Sequence, residues 1–187
     1  MQPRKPAQRY ILTGTPGCGK TALIRQLELG GFGVVEEAAT DVIAAAHADG
    51  IDEPWRNPQF IETITDLQRT RQLLAPLPSN GIQFHDRSVV CTAALANYLG
   101  YAIPPILAAE LNRIISEAVF DRRVFFLRNL GFIAPTPARR ISFEASLRFE
   151  QIHEEIYRSL GFELLFIAAA SIPDRIAAIR AHIQDLN

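Results

Sequence analysis

At 187 residues the chain fits one domain, and a chain of that size buries roughly 70% of its extended surface, enough for a real core. Its 19 Lys and Arg against 20 Asp and Glu leave a net charge of −1 with no basic run, which argues against nucleic acid or an anionic membrane as partner. Two cysteines in separate segments exclude a disulfide scaffold, and no apolar run approaches the roughly 20 residues of a membrane span.

Residues 1–8 read as a loose tail, and Met1-Gln2-Pro3-Arg4-Lys5-Pro6 lacks the apolar core of a signal peptide, so the expected location is the reducing cytoplasm. Arg9-Tyr10-Ile11-Leu12-Thr13 is β-branched and aromatic and predicts a buried strand. Gly14-Thr15-Pro16-Gly17-Cys18-Gly19-Lys20-Thr21 follows, spelling G-x-x-x-x-G-K-[ST]. From Ala22 to Leu29 the apolar residues fall at helical spacing, and Gly30-Gly31 closes the run. Gly33 to Glu37 predicts a second strand ending on two carboxylates. A helix over Ala38–Asp49 stops at Gly50, and Ile51 to Pro58 is a polar connection punctuated by proline.

From Gln59 the residues Phe60, Ile61, Ile64, Leu67, Leu73 and Leu74 lie largely on one helical face, and Pro76-Leu77-Pro78 ends that helix. Gly81–Asp86 predicts the third strand. Ser88 caps a helix over Val89–Leu99, and Pro104-Pro105 starts another that runs to about Val119. Arg123–Leu127 is the fourth strand. Residues 128–142 hold two prolines, a glycine and paired arginines with little periodicity, the composition of a lid. A long amphipathic helix over Phe143–Leu160, a fifth strand over Phe162–Ile167 and a last helix over Ile172–Leu186 complete the chain. Five apolar strands separated by helices predict an α/β fold, with a parallel sheet covered on both faces. Right-handed crossovers then bring the loops after the strands to one edge, where ligands bind.

Strand, glycine loop, helix is the context in which G-x-x-x-x-G-K-[ST] means a phosphate cradle. Main-chain N–H groups of residues 15–21 would face a polyphosphate, and the helix beginning near Gly19 adds its free N–H groups and dipole. Lys20 can bridge the β- and γ-phosphates, and the Thr21 hydroxyl can ligate Mg²⁺. Gly14, Thr15, Pro16, Gly17, Cys18, Gly19, Lys20, Thr21 and the adjoining Ala22 are therefore the candidate nucleotide site, with ATP and Mg²⁺ as the implied ligands.

Asp86 ends the third strand and Arg87 follows. A carboxylate there either holds Mg²⁺ or accepts a proton from an attacking hydroxyl, and Arg87 offers a planar fork to phosphate oxygens. Glu36 and Glu37 end the second strand at the same edge, as contacts for substrate hydroxyls or as a pair complementing the next helix dipole. Trp55 could stack on a planar acceptor ring or pack under a loop. Arg139 and Arg140 fit a basic lid that closes over phosphates, and the same residues also suit a solvated loop. Arg128 is a candidate to stack on the nucleotide base. The four histidines show no metal-ligand spacing, so no zinc is expected.

These motifs resemble the AAA-domain P-loop family that includes ribosylnicotinamide-kinase-like domains. The resemblance is carried by the phosphate loop and its helix, Val35-Glu36-Glu37-Ala38-Ala39, Pro54-Trp55 before Phe60, and Phe84-His85-Asp86-Arg87-Ser88. It continues through Arg139-Arg140-Ile141-Ser142, Ile152-His153-Glu154, Tyr157, Leu160-Gly161-Phe162 and Asp174-Arg175-Ile176, in the same order. The resemblance implies a three-layer nucleoside-kinase-like fold with sheet order 2-3-1-4-5 and a small lid. It assigns the family's Asp-Arg pair to Asp86-Arg87, its lid arginine to Arg140 and its acidic residue after the second strand to Glu37. The chain departs from the family at Thr40, where an arginine is common, and at Pro137-Ala138, where an Asp-Gly pair often precedes the lid arginine.

The expected activity is phosphoryl transfer from ATP to a hydroxyl or phosphate of a small nucleoside-like acceptor. Lys20, Asp86, Arg87 and Arg140 would be the catalytic residues, and Glu36, Glu37 and Trp55 the acceptor contacts, with Thr21 and Asp86 on the metal. A homo-oligomer is compatible with this. The alternative is a nucleotide-dependent regulatory ATPase acting on a protein partner. A GTPase fits less well, because no Asn-Lys-x-Asp motif follows the fourth strand.

Overall fold

The computed structural model describes residues 7–76, 78–130 and 141–184. Five strands, β1 (Gln8–Gly14), β2 (Gly33–Val35), β3 (Ile82–Asp86), β4 (Arg123–Leu127) and β5 (Glu163–Ile167), form one parallel sheet in the order β2-β3-β1-β4-β5. The helices are α1 (Lys20–Leu29), α2 (Ala39–Ala48), α3 (Gln59–Leu74), α4 (Val89–Leu99), α5 (Pro105–Ser116), α6 (Phe143–Ser159) and α7 (Ile172–Gln184). The expected α/β architecture and strand order are those observed.

Alternation along the strands divides the apolar residues between two cores, one on each face of the sheet. Ile11 and Val124 face a core completed by α3, α4 and α5, through Phe60, Ile64, Val90, Leu107 and Ile114. Their neighbours Tyr10, Leu12 and Phe125 face the other core, completed by Leu23 and Leu27 of α1 and Ile179 and Ile183 of α7. β1 is central, buried from Tyr10 to Gly14 between β3 and β4.

Several boundaries differ from the sequence reading. Gln8, expected in the loose tail, already joins the sheet by donating to the Gly81 carbonyl at 2.8 Å, and residues 1–6 lie outside the described residues. β2 stops at Val35 rather than Glu37. The carbonyls of Glu36 and Glu37 accept from the Arg71 guanidinium of α3, not from a neighbouring strand. α5 ends at Ser116 rather than near Val119, since Ala118 turns into the left-handed region (φ 47°) and the Val119 N–H closes onto the Ile114 carbonyl at 3.0 Å. Pro54–Arg56 forms one 3₁₀ turn within the expected connection. Most of the expected lid, Arg139 and Arg140 included, lies outside the described residues.

Candidate functional site

The turn from β1 into α1 is built on glycines. At Gly14 (φ 141°) a Cβ would lie 2.4 Å from the Leu127 carbonyl oxygen, so only glycine lets the end of β1 lie this close to β4. Gly19 (φ 82°) is the N-cap of α1, in the left-handed region; no side chain caps the helix and its first turn holds no acidic residue. The first N–H groups of α1 have no partner within the helix, which leaves them and the positive end of the dipole to an external anion. Lys20 is buried beside them and Thr21 is exposed. The Cys18 N–H, expected to face the anion with its neighbours, instead closes a turn onto the Thr15 carbonyl at 3.2 Å. The Cys18 side chain is buried in the core.

Register sets the opposite wall. Leu12 of β1 pairs with Asp86 of β3, and Val35 of β2 pairs with His85, so the ends of β1, β2 and β3 meet at one edge. The Arg87 N–H still donates to the Leu12 carbonyl at 3.0 Å, yet Arg87 itself has φ 70°. Such strain in a non-glycine residue persists only where its surroundings hold it. Ser88 follows in extended backbone and its Oγ accepts the Val90 N–H, starting α4. The turned Arg87 side chain lies 2.6 Å from Glu37 through Nε and Oε1, and it is 10% exposed. Thr40 Oγ1 donates to Glu37 Oε2 at 3.1 Å.

The buried Asp86 and the half-buried Glu37 are pushed apart electrostatically. Burial alone would raise the Glu37 pKa, but the charges of Arg87 and Lys20 hold it below the ordinary glutamate value. Asp86 is raised, by burial first and by the nearby Glu37 charge, with Lys20 and Arg87 opposing. Its Oδ1 is buried with no hydrogen-bond partner among the described residues. His85, next in the strand, is neutral: burial and then Arg9 depress its pKa to about 3, and it hydrogen-bonds Gln83 at 2.9 Å.

A cleft of about 770 Å³ joins the loop to this wall. Pro16, Gly17, Gly19, Lys20, Thr21 and Ala22 line one end, with Glu37 and Arg87 across from them. Beyond, the walls become apolar and aromatic: Ile43, Trp55, Phe60, Leu95, Tyr98 and Phe149. Gly14, Thr15 and Cys18 are buried behind the loop. Asp86 is buried near enough to Lys20 to feel its charge, and it borders a water-sized space that Gln68, Gln72 and Glu110 also line. Trp55 lines the cleft and also packs on the core. Glu36 is turned away, in an exposed pair with Arg25 at 2.7 Å. Arg128 is held over the Phe166 ring at 3.9 Å and paired with Glu150 and Glu154, not set against the loop.

Among the described residues no group of three or more His, Cys, Asp or Glu could hold a metal ion. Magnesium beside a nucleotide needs only one or two protein oxygens, the rest coming from phosphate and water. The orphaned Asp86 Oδ1 and the exposed Thr21 hydroxyl are donors of that hard type and fit it.

Sequence reasoning missed three features. Arg71 anchors the segment from Glu36 to Asp41 from α3, bonding two carbonyls and pairing with Asp41. Thr13, Cys91, Tyr157 and Ser88 form a buried polar chain with 3.1 Å links behind the site. Arg175 reaches from α7 to the phosphate loop, where Nη2 donates to the Cys18 carbonyl at 2.9 Å. Each joins residues more than 25 positions apart, so no local spacing could reveal them.

A family profile described as AAA domain matches residues 9–175. No curated protein matches the sequence significantly. Among solved structures, deoxyadenosine kinase from M. mycoides with products dCMP and a flexible dCDP bound is similar at a TM-score of 0.65 and 12% identity, covering 96% of this chain and 100% of that one. The same enzyme with dCTP bound gives 0.64 and 13%, with the same coverage. At such identity the likeness is one of fold: a P-loop, nucleoside-kinase-like fold. Among the described residues no helix is long and apolar enough to cross a membrane.

Proposed function

Because the chain belongs to the AAA-domain family and has a nucleoside-kinase-like P-loop fold, we propose that it is an ATP-dependent kinase that phosphorylates a hydroxyl of a small, ring-bearing acceptor. The observation that carries this reading is the shared cleft. A glycine loop with unpaired helix N–H groups, a buried lysine and a carboxylate paired to arginine all face one space with aromatic walls beyond.

In this reading residues 14–22 hold the polyphosphate, with Lys20 against its β- and γ-oxygens. Thr21 and Asp86 would hold Mg²⁺, which when bound neutralises charge on the transferring group. Glu37 lines the cleft, stays ionised beside Arg87, and accepts the proton as the acceptor hydroxyl attacks the γ-phosphorus and ADP leaves. Arg87 keeps that carboxylate in place and adds charge near the transferring oxygens. Arg140 is proposed as the lid cation from the sequence alone. Trp55, Tyr98 and Phe149 suit a planar ring. Glu36, paired outside the cleft, has no part in this mechanism. The two free, buried cysteines support a reducing cytoplasm as its place of action.

The test is ADP release measured against nucleosides, nucleotides and amino sugars. A ring-bearing alcohol is expected to raise the rate at least tenfold over background hydrolysis. If no acceptor does so and a protein partner does, the regulatory-ATPase reading replaces this one.

A further inference from the structure

Arg175 is 3% exposed, and among the described residues no carboxylate pairs with it. A buried cation without an acid is costly, and burial pushes its pKa down; a guanidinium nevertheless stays charged in proteins. Among the described residues Arg175 Nε is buried without a partner, and the one acceptor the guanidinium engages is the Cys18 carbonyl oxygen, 2.9 Å from Nη2. Nη1 lies 3.0 Å from where a Cβ on Gly19 would stand. The arginine thus lies against the Cys18–Gly19 peptide, in the middle of the phosphate loop.

That peptide is trans, so its C=O and N–H point in nearly opposite directions. Holding the Cys18 oxygen toward α7 turns the Gly19 N–H away from α7, toward the side of the loop that lines the cleft. The opposite peptide orientation would aim a carbonyl oxygen at an incoming phosphate and lose one donor. Glycine at position 19 makes both orientations accessible, so something outside the loop must choose. Ser171 fixes the anchor: its carbonyl accepts the Arg175 N–H at 3.1 Å and its Oγ accepts the Asp174 N–H at 3.3 Å, which sets the first turn of α7.

We propose that Arg175 is a positioning residue for polyphosphate binding: it locks the Cys18–Gly19 peptide with the Gly19 N–H facing the ligand, and places an unpaired positive charge behind the loop. The inference rests on the reading that residues 14–22 grip a polyphosphate.

The experiment is titration calorimetry of the wild type, R175K and R175M with ATP, ADP and inorganic tripolyphosphate, beside melting curves without ligand. Losing one buried donor and its charge should weaken R175M by about tenfold or more toward all three ligands, by a common factor. R175K, whose ammonium can still donate to the carbonyl, should stay within about threefold. With an acceptor in hand, KM for ATP should rise while kcat at saturation moves less. The proposal is overturned if folded R175M binds all three like the wild type. It is equally overturned if R175M loses ATP but keeps tripolyphosphate, since Arg175 would then serve the nucleoside end. Should R175M not fold, the wild-type Gly19 amide resonance decides: a downfield shift with tripolyphosphate supports the lock, and an unmoved resonance refutes it. A wild type that binds none of the three ligands removes the phosphate-loop reading itself, which is a different failure.

Discussion

Glu37 and Asp86 stand at the same sheet edge, yet their surroundings push their proton affinities in opposite directions. If Glu37 accepts the hydroxyl proton, Glu37→Gln should lower kcat by about 10²- to 10⁴-fold while the Kd for ATP, by calorimetry, stays within a few-fold. Asp86→Asn should act through the metal instead, raising the Mg²⁺ concentration needed for half-maximal rate; an unchanged requirement would return Asp86 to the proton-accepting role. Because burial raises the Asp86 pKa, Mg²⁺-dependent binding should begin to fail on acidification above the usual carboxylate range. Lys20→Ala should abolish measurable turnover. Asp86-Arg87 could be found from sequence because an acid ending an apolar strand in this fold must lie near the loop. The choice between Glu36 and Glu37 came only through the resemblance, which assigns Glu37; the residues' own pattern could not make it, because β2 ends early and the choice depends on a cross-chain pairing with Arg87.

α2 has no buried residue, although Ala39, Thr40 and Ile43 form part of the cleft wall. Ala39, Val42 and Ile43 pack on the core, and Arg71 adds polar ties at the start of the helix by bonding the carbonyls of Glu36 and Glu37 and pairing with Asp41. Arg71→Ala should therefore free that wall, raising the acceptor KM several-fold while leaving the ATP Kd nearly constant; steady-state kinetics against both substrates reads the difference. Ser88 does two jobs, accepting the Val90 N–H as the cap of α4 and bonding Tyr157 at 3.1 Å. Ser88→Ala should cost about 1–2 kcal/mol, seen as a lower midpoint in urea with unchanged slope. Helix and strand existence was legible from periodicity and from the Gly and Pro stops. The early end of α5 was not, because it depends on Ala118 accepting a left-handed conformation.

At the scale of the whole molecule, His85 ties stability to pH. Folding depresses its pKa from 6.5 to about 3, so between those values the unfolded chain binds more protons than the folded one. Stability should be insensitive to this group above pH 6.5 and fall below it, by up to about 1.4 kcal/mol per pH unit. Urea titrations from pH 7 to pH 4 should show that slope, and His85→Asn should flatten it by about one proton. The order β2-β3-β1-β4-β5 was legible only through resemblance, because the apolar pattern fixes strands but not their neighbours. That order bears on how the protein is made. β1 leaves the ribosome first but waits for β4, more than 100 residues later, to cover its second edge. A nascent chain stalled before Arg123 would carry a bare, apolar β1 margin, an invitation to sticking between polysomes that full-length translation removes.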